Sequence, residues 1–227
     1  MSCRATFLQV ALLFAAAALA EAVCVGADDL KPSENQTSDE QSGGDKPDVG
    51  SISGLITYQR DTKRPWRYER YFVTDRKTRA LGEAVVALRA SRLRFVDRDP
   101  ASKTVEMNQE LFQFTPQTLA IRAGDSVKFL NGDSTTHNVQ ALGSLATFNE
   151  NMGQGGDFTY RFERSGGIDQ PVQIGCVFHG GMQAWILIFD HPYFLVTDSK
   201  GKFSFKDVPA GRYRLDVYHP AGVLRDS

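Results

Sequence analysis

One short segment of the chain carries three side chains with soft or borderline ligand atoms. Cys176, His179 and Met182 follow one another with the spacing C-x2-H-x2-M. A second imidazole, from His137, comes after a strand-like run and a polar turn. Two imidazoles and a thiolate in a plane, with a long axial thioether bond, form the ligand set of a type-1 copper site. The four residues therefore predict one mononuclear copper ion and single-electron transfer.

Each of these residues alone has a simpler interpretation. Cysteine and methionine are good core residues, and a single histidine is usually a surface residue or a hydrogen-bonded core residue. Only the combination of all four favours a metal. A structural zinc site fits these four residues less well because methionine is a poor zinc ligand. The C-x-x-C-H motif of a haem attachment site is absent.

The residues around the cysteine predict how the ligands are held. Ile174 and Cys176 are two positions apart, so they share one face of a predicted strand, with the cysteine at its end. Gly180 and Gly181 allow the loop to fold tightly around an ion. After Met182, the apolar run 184–189 predicts a buried final strand.

The sequence after residue 52 predicts an all-β fold. Short runs alternate between apolar and polar residues and are separated by Gly, Asp and Pro turns, which is typical of a β-sandwich. No long helical period is present. The predicted strands include 53–58, 84–88, 111–114, 118–121, 126–130, 158–162 and 171–174.

The N-terminal region predicts export. Arg4 precedes a short apolar run, Phe7–Ala20, as in a secretory signal peptide over 1–27, with cleavage after Ala22 or Ala27. Residues 28–52 are polar and predict a disordered linker. We expect a periplasmic or otherwise exported protein without stable membrane insertion after signal removal.

Only one of the three cysteines falls in the predicted folded part. Cys3 lies in the signal and Cys24 is removed or lies near the new N-terminus. Cys176 therefore has no partner for an internal disulfide, which leaves a buried inert thiol, a reactive thiol or a metal ligand.

Two segments of the chain resemble the cupredoxins of the plastocyanin and amicyanin type. The run 117–133 followed by His137-Asn138-Val139 is similar to their first-ligand segment, and 175–182 is similar to their C-terminal ligand loop. The resemblance implies a Greek-key β-sandwich, one type-1 copper and electron transfer. It also implies that Asn138 braces the two ligand loops by hydrogen bonds, and that the edge of His179 is the exposed route for the electron.

A broader resemblance covers roughly residues 53–220. Exported methylamine-utilisation-like bacterial proteins share the copper segment and a tail similar to 192–203 and 207–215. That tail also resembles the small carboxypeptidase-regulatory-like β-sandwich. We therefore predict a discontinuous small sandwich from 53–100 and 191–227, with the cupredoxin domain 101–190 inserted.

The segment 60–80 mixes basic and aromatic residues. Residues 60–94 carry eleven Lys and Arg against four acids. A nucleic-acid interface is possible on composition, but predicted export argues against it. We expect an insertion that packs its aromatic residues on the small sandwich, with a docking surface for an acidic redox partner as the alternative. His191 and His219 are interpreted as surface histidines.

Four functions compete for this sequence. The first is an electron carrier between redox partner proteins. The second is a copper storage or delivery module without an electron-transfer role, and the third is a structural sandwich. The fourth, a copper enzyme with several metal sites, is rejected because the chain has only four histidines.

Overall fold

The structure is a computed structural model and describes residues 48–63, 65–73, 75–95, 101–222 and 224–226. The predicted signal peptide and most of the predicted linker lie outside these residues. Strand β1 begins at Val49, so regular structure starts inside the range 28–52 that we predicted to be linker. Within the described residues, no helix is long and apolar enough to cross a membrane.

The prediction of an all-β fold is confirmed. The described residues contain fifteen strands, one four-residue α-helix, and two short 3-10 helices over Ser91–Phe95 and Pro220–Gly222. The helix α1 spans Glu69–Phe72. The strands are β1 Val49–Leu55, β2 Val85–Arg89, β3 Thr104–Glu110, β4 Gln113–Thr115, β5 Thr118–Arg122, β6 Ser126–Asn131, β7 His137–Leu142, β8 Thr147–Met152, β9 Asp157–Arg161, β10 Gly167–Gly175, β11 Gln183–Phe189, β12 Phe194–Val196, β13 Lys202–Pro209, β14 Arg214–His219 and β15 Leu224–Asp226.

Two sheets form the first sandwich. One has the strand order β5-β11-β10-β7-β8 and the other has the order β4-β3-β6-β9. Buried apolar residues from both sheets, such as Phe129 and Ile186, form its core. We expected a strand over 111–114, but Leu111 and Phe112 have φ values of 52° and 60° and form the turn between β3 and β4. Positive φ at two such residues is not visible in an alternating pattern.

The second sandwich combines strands from both ends of the described chain. Strand β1 pairs with β13, and β2 pairs with β12 and β14. If the first sandwich is inserted into the second, strands from before and after it must pair in this way. The division of the chain into two domains stays a prediction. Trp66 and Phe72, from the basic and aromatic segment, pack against the same core as Leu81 and Phe205.

The two sandwiches stack on each other through β2 and β11. Val86 faces the core of the second sandwich and Ile186 faces the core of the first. Their neighbours Val85 and Leu187 point the other way, into an apolar cluster between the sandwiches. Both strands are therefore buried on both faces, which explains why they read as continuous apolar runs instead of alternating ones.

The prediction that His191 and His219 lie on the surface is wrong. His219 is only 1% exposed, and its ring lies edge-on to Trp66 and Phe72 at centroid distances of 4.9 and 4.4 Å. Burial lowers the pKa of His219 to about 3. His191 is 7% exposed and accepts a hydrogen bond from the Tyr193 amide at 3.1 Å. Burial lowers the pKa of His191 too.

Candidate metal centre

Three of the four predicted ligands converge at one end of the first sandwich. His137 is the first residue of β7, and Cys176 directly follows β10, the strand that pairs with β7. The Nδ1 atoms of His137 and His179 are 3.1 Å apart, and Cys176 Sγ is 3.6 Å from His179 Nδ1. The three ligand atoms all lie within 4.8 Å of one another.

These separations fit a shared metal ion. A borderline metal such as zinc binds histidine nitrogen at about 2.05 Å and thiolate sulfur at about 2.3 Å. At roughly tetrahedral angles, two such nitrogens lie about 3.3 Å apart, and a nitrogen and a sulfur lie about 3.6 Å apart. The two close pairs around His179, at 3.1 and 3.6 Å, are near these values. The donor set therefore fits a small ion with mixed nitrogen and sulfur ligands.

A carboxylate fixes the tautomer of the buried His137. His137 is 0% exposed, and its Nε2 lies 2.8 Å from Asp133 Oδ2. An ionised carboxylate can only accept hydrogen bonds, so Nε2 must carry the proton. In the neutral imidazole the lone pair then belongs to Nδ1, the atom that faces His179 and Cys176. The hydrogen bond thus selects the tautomer that a metal needs.

The same carboxylate holds the turn between β3 and β4. Asp133 accepts hydrogen bonds from the backbone amides of Leu111 at 2.8 Å and Phe112 at 3.0 Å. The Phe112 amide, followed by the His137 ring, lowers the pKa of Asp133 below its usual value. The ring of Phe112 lies edge-on to the imidazoles of His137 and His179, at 5.4 and 4.9 Å. One side chain therefore orients a ligand and the aromatic ring that packs against it.

The sulfur of Cys176 lies in a closed loop and receives a hydrogen bond. The Asn138 amide donates to Sγ at 3.3 Å. Within the loop, the Cys176 amide donates to the Met182 carbonyl at 3.3 Å, and the Met182 amide donates to the His179 carbonyl at 2.9 Å. The cysteine is only 4% exposed. The amide hydrogen bond and the compact loop hold the sulfur in one position.

The side chain of Asn138 connects the two ligand segments. Its Oδ1 accepts from the Val177 amide at 3.4 Å, next to Cys176. Its Nδ2 donates to Asn149 Oδ1 at 2.7 Å and to Asn151 Oδ1 at 3.0 Å on β8. These contacts connect the segment of His137 with the segment of Cys176, and the bracing role that the resemblance implied stays a prediction.

Met182 lies in the same core cluster as Cys176 and is 2% exposed. Its backbone closes the loop through the amide and carbonyl bonds described above. The role of its thioether as a fourth ligand stays a prediction.

An exposed apolar surface surrounds the partly buried His179. Four side chains, here called the apolar rim, belong to the β3–β4 turn and the cysteine loop: Leu111, Phe112, Val177 and Phe178. They are between 50% and 79% exposed. Clustered exposed apolar residues of this kind mark interaction surfaces.

No protein-family model and no curated protein matches this chain. Among solved structures, the amicyanin of Paracoccus versutus is 20% identical, with 41% of this chain and 89% of that protein covered and a TM-score of 0.34. A purple cupredoxin from Nitrosopumilus maritimus is 22% identical, with coverages of 37% and 98% and a TM-score of 0.33.

A Cu-containing nitrite reductase (NirK) from Thermus scotoductus SA-01 is also similar. It is 20% identical over 40% of this chain, with a TM-score of 0.35, and the match spans only 23% of the reductase. These TM-scores are too low to assign a fold family.

Proposed function

We propose that this protein is an exported type-1 copper protein that carries single electrons between redox partner proteins. The observation that carries the proposal is the convergence of two imidazole Nδ1 atoms and one cysteine sulfur, with close separations of 3.1 and 3.6 Å. His137, Cys176, His179 and Met182 would hold the ion. A bound copper ion would supply one-electron redox chemistry.

The surroundings of the ligands suit an electron carrier because they restrain movement. Asp133 holds the ring of His137, the backbone of Asn138 holds the sulfur, and the side chain of Asn138 ties the two segments together. Ligands fixed by outer hydrogen bonds keep similar positions in both oxidation states of a metal. Little reorganisation is then needed when an electron arrives or leaves.

The edge of His179 provides a route to the surface. It is partly exposed, in contrast to His137 and Cys176, and it contacts Phe112 of the apolar rim. We propose that redox partners dock on the apolar rim and exchange electrons through this edge. A short-lived complex of this kind needs no large interface.

We propose a carrier instead of an enzyme with several copper sites. The chain has four histidines. Two of them, His191 and His219, are buried away from the cluster, and a backbone amide or carbonyl is the partner of each ring. Only His137 and His179 are then available as imidazole ligands, which is enough for one type-1 site.

Voltammetry of the copper-loaded protein tests the electron-carrier function. We expect a reversible one-electron wave and fast self-exchange between the reduced and oxidised protein. A copper storage module would take up and release the ion but would show slow, irreversible redox behaviour. That result would contradict the carrier function while leaving copper binding intact.

A further inference from the structure

A pocket on the second sandwich is lined by an unusual number of arginines. It has a volume of about 370 Å³, which is at the small end of the range for ligand pockets, roughly 300–1,000 Å³. It shares no lining residue with the candidate metal centre. Its arginines are Arg60, Arg67, Arg70, Arg76 and Arg79.

The charge inside this pocket is poorly balanced. Glu69 is the one acidic residue in its lining, so five arginines and one glutamate give a formal charge of +4. Glu69 contacts Arg79 at 2.9 Å and Arg60 at 3.4 Å. The other three arginines have no acidic partner among the described residues: Arg67, Arg70 and Arg76. Like charges gathered in one concave site repel one another, and a bound anion relieves that repulsion.

Two of the unpaired guanidinium groups are already held in place. Arg67 lies over the ring of Tyr68 and Arg70 lies over the ring of Tyr71, at 4.5 and 4.7 Å from the ring centroids. Arg70 also donates to the Tyr71 hydroxyl at 2.6 Å. Stacking already restricts the movement of these two side chains, so that binding of a ligand costs less conformational entropy.

One residue of the pocket lining carries an unused neutral donor. Trp66 belongs to that lining, and its indole Nε1 is buried without a hydrogen-bond partner in the described part of the chain. The indole stacks on Phe72 with a centroid distance of 5.7 Å, so the ring is fixed. A buried N–H group without a partner is costly, and an acceptor oxygen of a ligand would satisfy it.

We propose that this pocket binds a small anion with two or more negative charges, of the phosphate or carboxylate type. Guanidinium groups match both through pairs of parallel hydrogen bonds. The concave shape and the buried indole donor favour a compact ligand over a flat acidic protein surface or an anionic membrane. The inference is independent of copper binding.

Titration of the metal-free full chain with inorganic pyrophosphate by calorimetry tests this proposal, and tricarballylate serves as the carboxylate probe. We expect one saturable site per chain for at least one probe. The double variant Arg67→Gln/Arg76→Gln should weaken binding at least about tenfold, since it removes two charge-assisted contacts. Trp66→Phe should weaken binding by a smaller factor, because the aromatic ring stays and only the N–H donor is lost.

A matched control separates the pocket from general charge. Arg164→Gln/Lys206→Gln removes two exposed positive charges outside the pocket and should change the affinity by no more than about twofold. Equal weakening in both double variants would overturn the proposal, as would the absence of saturable binding of either probe. Arginine-dependent binding to phosphatidylglycerol vesicles or polyglutamate, without saturable binding of either probe, would also overturn it. Thermal unfolding of each variant verifies that it is folded.

Discussion

Asp133 Oδ2 lies 2.8 Å from Nε2 of the fully buried His137. The contact joins a residue of the turn after β6 to the first residue of β7, four positions further on. It leaves the other ring nitrogen directed at His179 and Cys176. A carboxylate in this position adds negative charge to the imidazole and so to any ion that the imidazole binds.

Replacing this carboxylate should raise the reduction potential of the copper-loaded protein. Asp133→Asn keeps a side-chain oxygen that can accept from His137 but removes the charge. Loss of a nearby negative charge disfavours Cu(II) relative to Cu(I), and an upward shift on the order of 50 mV is expected for a charge several ångströms away. Voltammetry measures it directly.

Glu163→Gln is the matched control for this charge change. Glu163 forms an ion pair with Arg161 at 2.9 Å. It follows the end of β9 that is remote from the candidate metal centre. The Glu163→Gln substitution should leave the reduction potential nearly unchanged because exposed charges at long range are screened. Equal shifts in the two variants would show that net charge, and not the contact to His137, sets the potential.

Asn138→Ala should destabilise the protein even without metal. Asn138 is 1% exposed, and its side chain bonds to the Val177 amide and to three residues of β8. Removal of this side chain leaves buried polar groups without partners and should lower the free energy of unfolding by about 2–3 kcal/mol.

Urea unfolding of the metal-free chain measures this loss. Asn149→Ala is the control, because Asn149 is exposed and its loss removes only one of the contacts of Asn138. The Asn149→Ala substitution should lower the free energy of unfolding by about 1 kcal/mol or less. If the two variants lost the same free energy, the brace between the ligand segments would be refuted.

The burial of His219 should make stability depend on pH. Its pKa is about 3 in the folded protein against 6.5 for an ordinary histidine, so the unfolded chain binds more protons between these values. The free energy of unfolding should therefore fall as the pH decreases from 6.5 towards 3, by up to about 1.4 kcal/mol per pH unit from this residue.

His219→Phe removes this proton uptake and keeps an aromatic ring beside Trp66 and Phe72. Unfolding measured at pH 7, 6, 5 and 4 should show a shallower decline in the variant than in the parent protein. Parallel curves would mean that His219 does not contribute to the pH dependence.

The sequence indicated which residues of the candidate site come together, but it did not indicate which hydrogen bonds hold them. The convergence of His137, Cys176 and His179 could be predicted because metal chemistry restricts the types and spacing of ligands. Their role as metal ligands stays a prediction. The role of Asp133 was missed, although its position four residues before His137 was a usable signal. The turn at Leu111 and Phe112 could not be predicted, since it depends on tertiary hydrogen bonds to Asp133 and not on local propensity.

Long-range burial explains the other errors. His219 was expected at the surface because it lies near the end of the given sequence. Its neighbours in space, Trp66 and Phe72, are far away along the chain. The early start of β1 at Val49 likewise depends on its pairing with β13. Such contacts connect distant segments, so a local pattern does not contain them.

The visible absorption spectrum of the Cu(II)-loaded chain, measured beside the Cys176→Ser variant, tests the central claim most directly. The proposed site predicts an intense band in the red region, from charge transfer between the thiolate and copper, that is lost in the variant while the fold, measured by circular dichroism, is retained. A colourless protein, or a weak band that is the same in both proteins, would contradict a type-1 copper site built on Cys176.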